Sequence, residues 1–110
     1  MQNIKVGDVI LANFPYEDIS GRYKLRPAVV MKLFPNRLSV VALKVTTTPP
    51  RDRYDFELIN WALAGLNRVS TVRTTKRAEI PTAAIVRVLG SLSQDDYNAV
   101  CDLYNSLPPR

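Results

Sequence analysis

Residues 7–15 read GDVILANFP and residues 26–31 read RPAVVM, and these two apolar stretches decide the fold. Each is short, rich in aliphatic residues and bounded by glycine or proline, which is typical of β-strands. The first predicts a strand over Val9–Phe14. The second predicts a strand that opens with Arg26, because the proline that follows is tolerated at the first position of a strand. An arginine held at the mouth of a buried strand is suited to bind an anion such as phosphate.

The segment that joins these strands, Tyr16–Leu25, contains turn-forming residues and predicts a polar loop. Hydrophobic patterning beyond it predicts four further strands, over Leu38–Thr46, Tyr54–Leu58, Val69–Ile80 and Ala84–Leu89. A short helix is predicted over Asn60–Leu66, and a longer one begins after Ser93 as N-cap and ends before Pro108. About six strands and a terminal helix predict a mainly β, α+β fold: a small curled antiparallel sheet or barrel that the helix closes on one side.

Two strands carry polar side chains whose placement follows from alternation. In Tyr54–Leu58, Asp55 and Glu57 flank Phe56 and are predicted to lie on the solvated face. In Val69–Ile80, alternation predicts one face with a row of hydroxyls and charges. The members of that row are Thr71, Arg73, Thr75, Arg77 and Glu79.

Composition limits the chemistry that is available. The chain has 110 residues, which predicts one domain over residues 1–110, and a net charge of +5, which favours polyanions such as RNA or DNA, or an acidic protein. It has no histidine, which excludes a Ser-His-Asp triad, a Cys-His pair and His-based zinc sites. With one cysteine and no membrane-length apolar run, we expect a cytoplasmic protein without a metal or other cofactor.

Several segments follow one another in an order that resembles the MazF/PemK toxins, the toxin halves of bacterial toxin–antitoxin pairs. They are GDVI (7–10), FP (14–15), RPAVV (26–30), VTT (45–47), YDFEL (54–58), Trp61 with AGL (64–66), STVR (70–73) and LGSLS (89–93). The resemblance spans about residues 7–107. It implies a small SH3-like barrel that works as a homodimer and cuts single-stranded RNA, usually messenger RNA, without a metal. The cut leaves a 2′,3′-cyclic phosphate and a free 5′-hydroxyl, and an antitoxin with an acidic C-terminal tail blocks the RNA groove.

The resemblance also implies roles for individual residues. Arg26 matches the strand-opening arginine that stabilises the phosphorane, Thr46 the hydroxyl that bonds the scissile phosphate, and Arg73 a second arginine near it. Thr47 is the alternative to Thr46, because the register is uncertain by one residue. The residues expected to contact substrate around this catalytic set are Tyr16, Arg22, Lys24, Thr47, Thr75 and Arg77.

Two departures from the family pattern leave the general base open. Many relatives have an acidic residue where this chain has Thr75, and some use a histidine in the first loop. Asp18 and Glu17 are the alternatives here. Two other functions also stay open: a non-catalytic SH3-like module that binds nucleic acid or protein, and a related toxin that acts on gyrase. The cleavage sequence and the dimer face cannot be read from the sequence.

Overall fold

The computed structural model describes residues 3–15 and 21–108. In these ranges the chain forms six strands and one α-helix: β1 Asp8–Pro15, β2 Tyr23–Phe34, β3 Ser39–Thr46, β4 Asp55–Glu57, β5 Thr71–Pro81, β6 Ile85–Ser91 and α1 Gln94–Asn105. All neighbouring strands pair antiparallel, in the order β4-β5-β3-β2-β1-β6. The predicted mainly β fold with a C-terminal helix is confirmed.

The sheet is open rather than a closed barrel. Its edges are β4 and β6, which do not pair with each other in the described part of the chain. The sheet nevertheless curls, since Ile80 of β5 shares one apolar cluster with Ile85 and Val88 of β6, although three strands lie between β5 and β6.

Each face of the sheet has its own apolar core. The helix-bearing face packs Val29, Leu43 and Val72 against Val100 of α1 and the segment that follows β4. The opposite face buries a second cluster: Ile10, Ala12, Phe14, Ala28, Val30, Val40, Ala42 and Ile80. Burial of each such aliphatic side chain contributes about 1.5–3 kcal/mol before entropy is counted, so both cores support the sheet. The side chains of directly paired residues lie on the same face of the sheet. The register therefore assigns each paired polar residue to one of the two faces.

β2 begins earlier than the sequence predicts. Tyr23 already pairs with Pro15, so Arg26 is the fourth residue of the strand rather than its first. Pro27 lies inside the strand, opposite Leu11. It is tolerated there because pairing with β3 starts only at Ala28, which leaves one edge of β2 open at the proline.

A β-bulge interrupts the alternation that the sequence predicts for β5. Leu43 pairs with Arg77, but the next residue, Lys44, pairs with Arg73, so the β3–β5 register skips residues 74–76. Thr74 turns to β4 instead: its amide and its hydroxyl both donate to the carbonyl of Tyr54, at 3.3 and 2.6 Å. The prediction that residues 71–79 share one face is therefore wrong beyond Arg73, because a bulge exchanges the two faces of a strand.

The predicted helix over Asn60–Leu66 is also wrong, since this segment is a series of turns. Seven residues make a marginal helix, and a tertiary contact competes with it. The buried carboxylate of Asp96 accepts hydrogen bonds from the amides of Ile59 (3.1 Å) and Asn60 (2.8 Å). Gly65, with φ +84°, passes directly over the Leu89 carbonyl of β6.

The C-terminal helix begins where the sequence predicts. The hydroxyl of Ser93 accepts the amide of Asp96 at 3.2 Å, which satisfies one of the free amides of the first turn. Within residues 3–15 and 21–108, no helix is long and apolar enough to span a membrane.

Candidate functional site

Arg26 lies on the opposite face, next to the apolar cluster. It pairs with the buried Ala12 of β1, and its side chain is half-buried. The last β2–β3 pair is Ala28 with Lys44, and this register, continued by two residues along each strand, brings Arg26 level with Thr46. No acidic side chain in residues 3–15 and 21–108 forms an ion pair with Arg26. The guanidinium is therefore not committed to a structural bridge within that part of the chain.

Thr46 is the last residue of β3, and it pairs with Thr71 of β5. Its hydroxyl oxygen accepts the amide of Thr48 at 3.2 Å, and the hydroxyl donates to the Thr48 hydroxyl at 3.3 Å. These bonds hold the side chain in a local turn at the strand end. Thr47 lies one residue beyond the strand and is exposed. Of the two threonines, only Thr46 belongs to the sheet face that carries Arg26.

Arg73 is buried on the same face. It pairs with Lys44 of β3 on one side and with Asp55 of β4 on the other. Its side chain is 6% exposed, and Nη1 lies 3.6 Å from Oδ2 of the fully buried Asp55 carboxylate. The predicted solvated position of Asp55 is thus wrong, whereas Glu57 is exposed as predicted. β-Strand spacings set the Cα atoms of Arg26 and Arg73 roughly 12 Å apart, a distance that two arginine side chains can bridge around one phosphate.

A turn before β4 fixes the Asp55 carboxylate. Oδ1 of Asp52 accepts the amide of Tyr54 at 2.9 Å, and the Asp52 carbonyl accepts the amide of Asp55 at 3.2 Å. The backbone amide of Arg51 donates to Oδ2 of Asp55 at 2.9 Å, and Nε of Arg51 lies 3.7 Å from the same oxygen. Two guanidinium groups therefore flank one buried carboxylate.

The bulge in β5 separates two residues that the sequence placed beside Arg73. Arg77 pairs with Leu43 and so lies on the helix-bearing face, where its guanidinium stacks 5.7 Å from the ring centroid of Tyr104. Thr75 lies within the bulge and is half-buried. The structure therefore places Arg26, Thr46 and Arg73 on one face of the sheet and Arg77 on the other.

The remaining predicted contact residues lie at the start of β2. Lys24 pairs with Phe14 and is exposed on the same face as Arg26, and Arg22 is exposed just before the strand. Tyr16, Glu17 and Asp18 lie outside the described residues.

Sequence reasoning missed two members of this face, Asp55 and Lys44. Aspartate is depleted from strands, so its position between Tyr54 and Phe56 was a signal of a special role. Lys44 is half-buried between Ala28 and Arg73, and the pattern of an apolar strand gave no reason to single it out.

The fold of this chain has counterparts among solved structures. No curated protein matches the chain. Among solved structures, Mycobacterium tuberculosis toxin MazF-mt6 is 22% identical over 89% of this chain and 92% of its own, with a TM-score of 0.71. MazF from Deinococcus radiodurans is 17% identical over 94% of each chain, with a TM-score of 0.73. A mycobacterial endoribonuclease, solved in complex with its cognate antitoxin, is 16% identical over 98% of this chain and 100% of its own, with a TM-score of 0.71.

At these identities the structural matches establish a shared fold. The family itself is established by the sequence, because residues 5–105 match the model of the PemK-like, MazF-like toxins of type II toxin–antitoxin systems. The match spans every strand described above and most of the helix-bearing core, including the segments with Arg26, Thr46 and Arg73. The chain therefore belongs to the PemK-like, MazF-like family of type II toxins.

Proposed function

We propose that this toxin is a metal-independent, sequence-specific endoribonuclease that cuts single-stranded messenger RNA. The observation that carries the proposal is Arg26: a sheet-held guanidinium without an ion-pair partner in the described residues, level with the Thr46 hydroxyl on the same face. Fixed donors of this kind suit a phosphate whose charge grows during reaction. The structural relatives that are named endoribonucleases support the same reaction class.

The proposed chemistry is transesterification by the substrate's own 2′-hydroxyl. The 2′-hydroxyl gives its proton to a general base while its oxygen attacks phosphorus in line with the 5′-oxygen. The bond between phosphorus and the 5′-oxygen breaks, and that oxygen takes up a proton from Arg26 or from solvent, which leaves a 2′,3′-cyclic phosphate and a 5′-hydroxyl. No protein nucleophile is needed. Arg26, Thr46 and Arg73 donate hydrogen bonds to the phosphorane oxygens, and each preorganised donor is worth about 3 kcal/mol of transition-state stabilisation.

Single-stranded RNA is the proposed substrate because its backbone can adopt the in-line geometry and its bases can splay onto the protein. Arg22 and Lys24 provide positive charge beside Arg26, and Tyr16 provides an aromatic surface for stacking. Thr47 provides a hydroxyl just beyond the end of β3, and Thr75 provides one in the bulge of β5. Arg77 lies on the helix-bearing face, so in this scheme it contacts RNA only where the RNA chain passes around the edge of the β-sheet. The proton acceptor is Asp18 or Glu17.

The proposed partners are a second copy of this chain and a cognate antitoxin with an acidic C-terminal tail. The net charge of +5 favours such a tail. Two kinds of relative support the pairing: the mycobacterial endoribonuclease solved with its cognate antitoxin and the MazE–MazF complex from Deinococcus radiodurans.

The test is incubation of the purified protein with a long single-stranded RNA in EDTA, followed by mapping of both cut ends. We expect cuts at one short motif, with cyclic phosphate and 5′-hydroxyl ends. RNA that stays intact at high protein concentration would contradict the proposal and would point to a binding module or to a toxin with another target.

A further inference from the structure

We propose that Asp55 is a positioning residue for catalysis: it holds the Arg73 guanidinium at the place where it meets the scissile phosphate. The inference rests on the proposed ribonuclease function. Its starting point is the buried pair of Asp55 and Arg73, whose side chains are 0% and 6% exposed.

The pair is a loose one. The 3.6 Å between Nη1 of Arg73 and Oδ2 of Asp55 exceeds the 2.7–2.9 Å that is usual for a charge-assisted hydrogen bond. Oδ1 of Asp55 and Nε of Arg73 are both buried without a hydrogen-bond partner. Native structures rarely leave such atoms unpaired, and a catalytic role is one of the explanations for those that do. Here the carboxylate attracts the guanidinium without occupying all of its donors.

The carboxylate itself cannot move easily. Its Oδ2 atom accepts the Arg51 amide at 2.9 Å, and its backbone is held in the turn by Asp52. The ladder between β4 and β5 then sets Asp55 directly across from Arg73, and the Tyr54 carbonyl ties the same turn to the bulge through Thr74. A hydrogen-bonded turn thus holds a negative charge on the β4 side of Arg73, while Thr46 and Arg26 lie on its other side, on β3 and β2.

A structural role alone would be the simpler explanation, since a buried arginine needs a counter-charge. That role predicts a loss of stability only. Positioning predicts in addition a loss of kcat, because the donor must sit in place when charge develops on the phosphorane. The two roles therefore separate in kinetics on folded protein.

The experiment compares Asp55→Asn with Glu57→Gln by single-turnover cleavage of one mapped RNA site. Glu57 lies two residues along the same strand on the same face and is exposed, so its variant is the matched control. With thermal unfolding recorded for each variant, we expect Asp55→Asn to lose roughly 10- to 100-fold in kcat with little change in KM. We expect Glu57→Gln to cleave at the parental rate.

A double-mutant cycle shows whether Asp55 acts through Arg73. In an Arg73→Lys background, Asp55→Asn should lower kcat by no more than about 2-fold, because the effects of mutating residues that act as one unit are not additive. Three outcomes would overturn the inference: parental kcat in folded Asp55→Asn, a faster enzyme, or the same fold-loss in both backgrounds.

If Asp55→Asn does not fold, the test is an NMR measurement of the Arg73 side chain in the parental protein. The Nε–H signal of Arg73 should then be rigid on the nanosecond scale and protected from exchange, and a mobile, rapidly exchanging guanidinium would overturn the inference. This readout needs no activity. A parental protein that leaves RNA intact would refute the proposed function, while the NMR result would still decide whether Asp55 holds Arg73.

Discussion

Arg26 is the residue whose removal should cost the most activity. Arg26→Ala removes a donor from the phosphorane, and its half-buried side chain supports no ion pair in the described residues, so the fold should stay intact. We expect a loss of roughly 100- to 1,000-fold in kcat. The control is Arg87→Ala, an exposed arginine on the edge strand β6 that has no role in the proposed site and should retain the parental activity. Cleavage by folded Arg26→Ala at the parental rate would refute the assigned role.

Asp8 makes the stability of the protein sensitive to acid. Burial would raise the pKa of Asp8, but hydrogen bonds from Ser91 Oγ (2.7 Å) and the Lys5 amide (3.0 Å), together with the Lys5 ammonium (3.0 Å), lower it below its ordinary value. A carboxyl group whose pKa is lower in the folded state stabilises the protein at pH values above its unfolded-state pKa, which is near 4. This stabilisation is lost as the pH falls through the folded-state pKa.

Asp8→Asn should therefore destabilise the protein by about 1–3 kcal/mol at pH 7, and the difference from the parent should shrink below about pH 4. Urea unfolding at a series of pH values measures it. The exposed Asp102→Asn is the control and should stay within about 0.5 kcal/mol of the parent. A difference for Asp8→Asn that stays constant down to pH 3 would contradict this explanation.

At the scale of the element, Gly65 fixes how closely the segment after β4 approaches β6. A Cβ at this position would lie 2.1 Å from the Leu89 carbonyl oxygen, and φ is +84°. Gly65→Ala should cost about 2–5 kcal/mol from backbone strain and overpacking together. Gly21 also has a positive φ, +79°, but nothing lies within 4 Å of the Cβ position. Gly21→Ala should then cost only about 1–2 kcal/mol. If urea unfolding shows that Gly65→Ala and Gly21→Ala lose the same free energy of unfolding, the contact with Leu89 does not contribute.

The elements also show which parts of the structure are readable from sequence. Val9–Phe14 and the Ser93 cap were predictable because apolar runs and capping residues are local signals. The bulge in β5 was not, because it depends on the hydrogen bonds that Thr74 makes to the Tyr54 carbonyl twenty residues earlier. The same long-range pairing buries Asp55, so alternation alone misplaced both Arg77 and Asp55. Arg26 and Thr46 were found through the family resemblance, and both lie on the same face, each two residues beyond the last β2–β3 pair.

At the scale of the whole molecule, the two faces of the sheet have different tasks. The helix-bearing face is an apolar core that includes Val100 and the segment after β4. The opposite face is apolar at one end and carries Arg26, Lys44 and Arg73 at the other. This division explains how a fold can be shared at 22% identity, since apolar cores tolerate substitution when volume and pattern are kept. We propose that this opposite face cleaves RNA through the substrate's own 2′-hydroxyl.

The most direct measurement is cleavage, in EDTA, of a short RNA that contains one mapped site, beside the same RNA with a single 2′-deoxy nucleotide immediately 5′ of the scissile phosphate. We expect the all-ribose RNA to be cut to a 2′,3′-cyclic phosphate and a 5′-hydroxyl, and the deoxy-substituted bond to stay intact while the RNA still binds. Cleavage of the deoxy-substituted bond, or cleavage that needs an added metal ion, would refute the proposed mechanism.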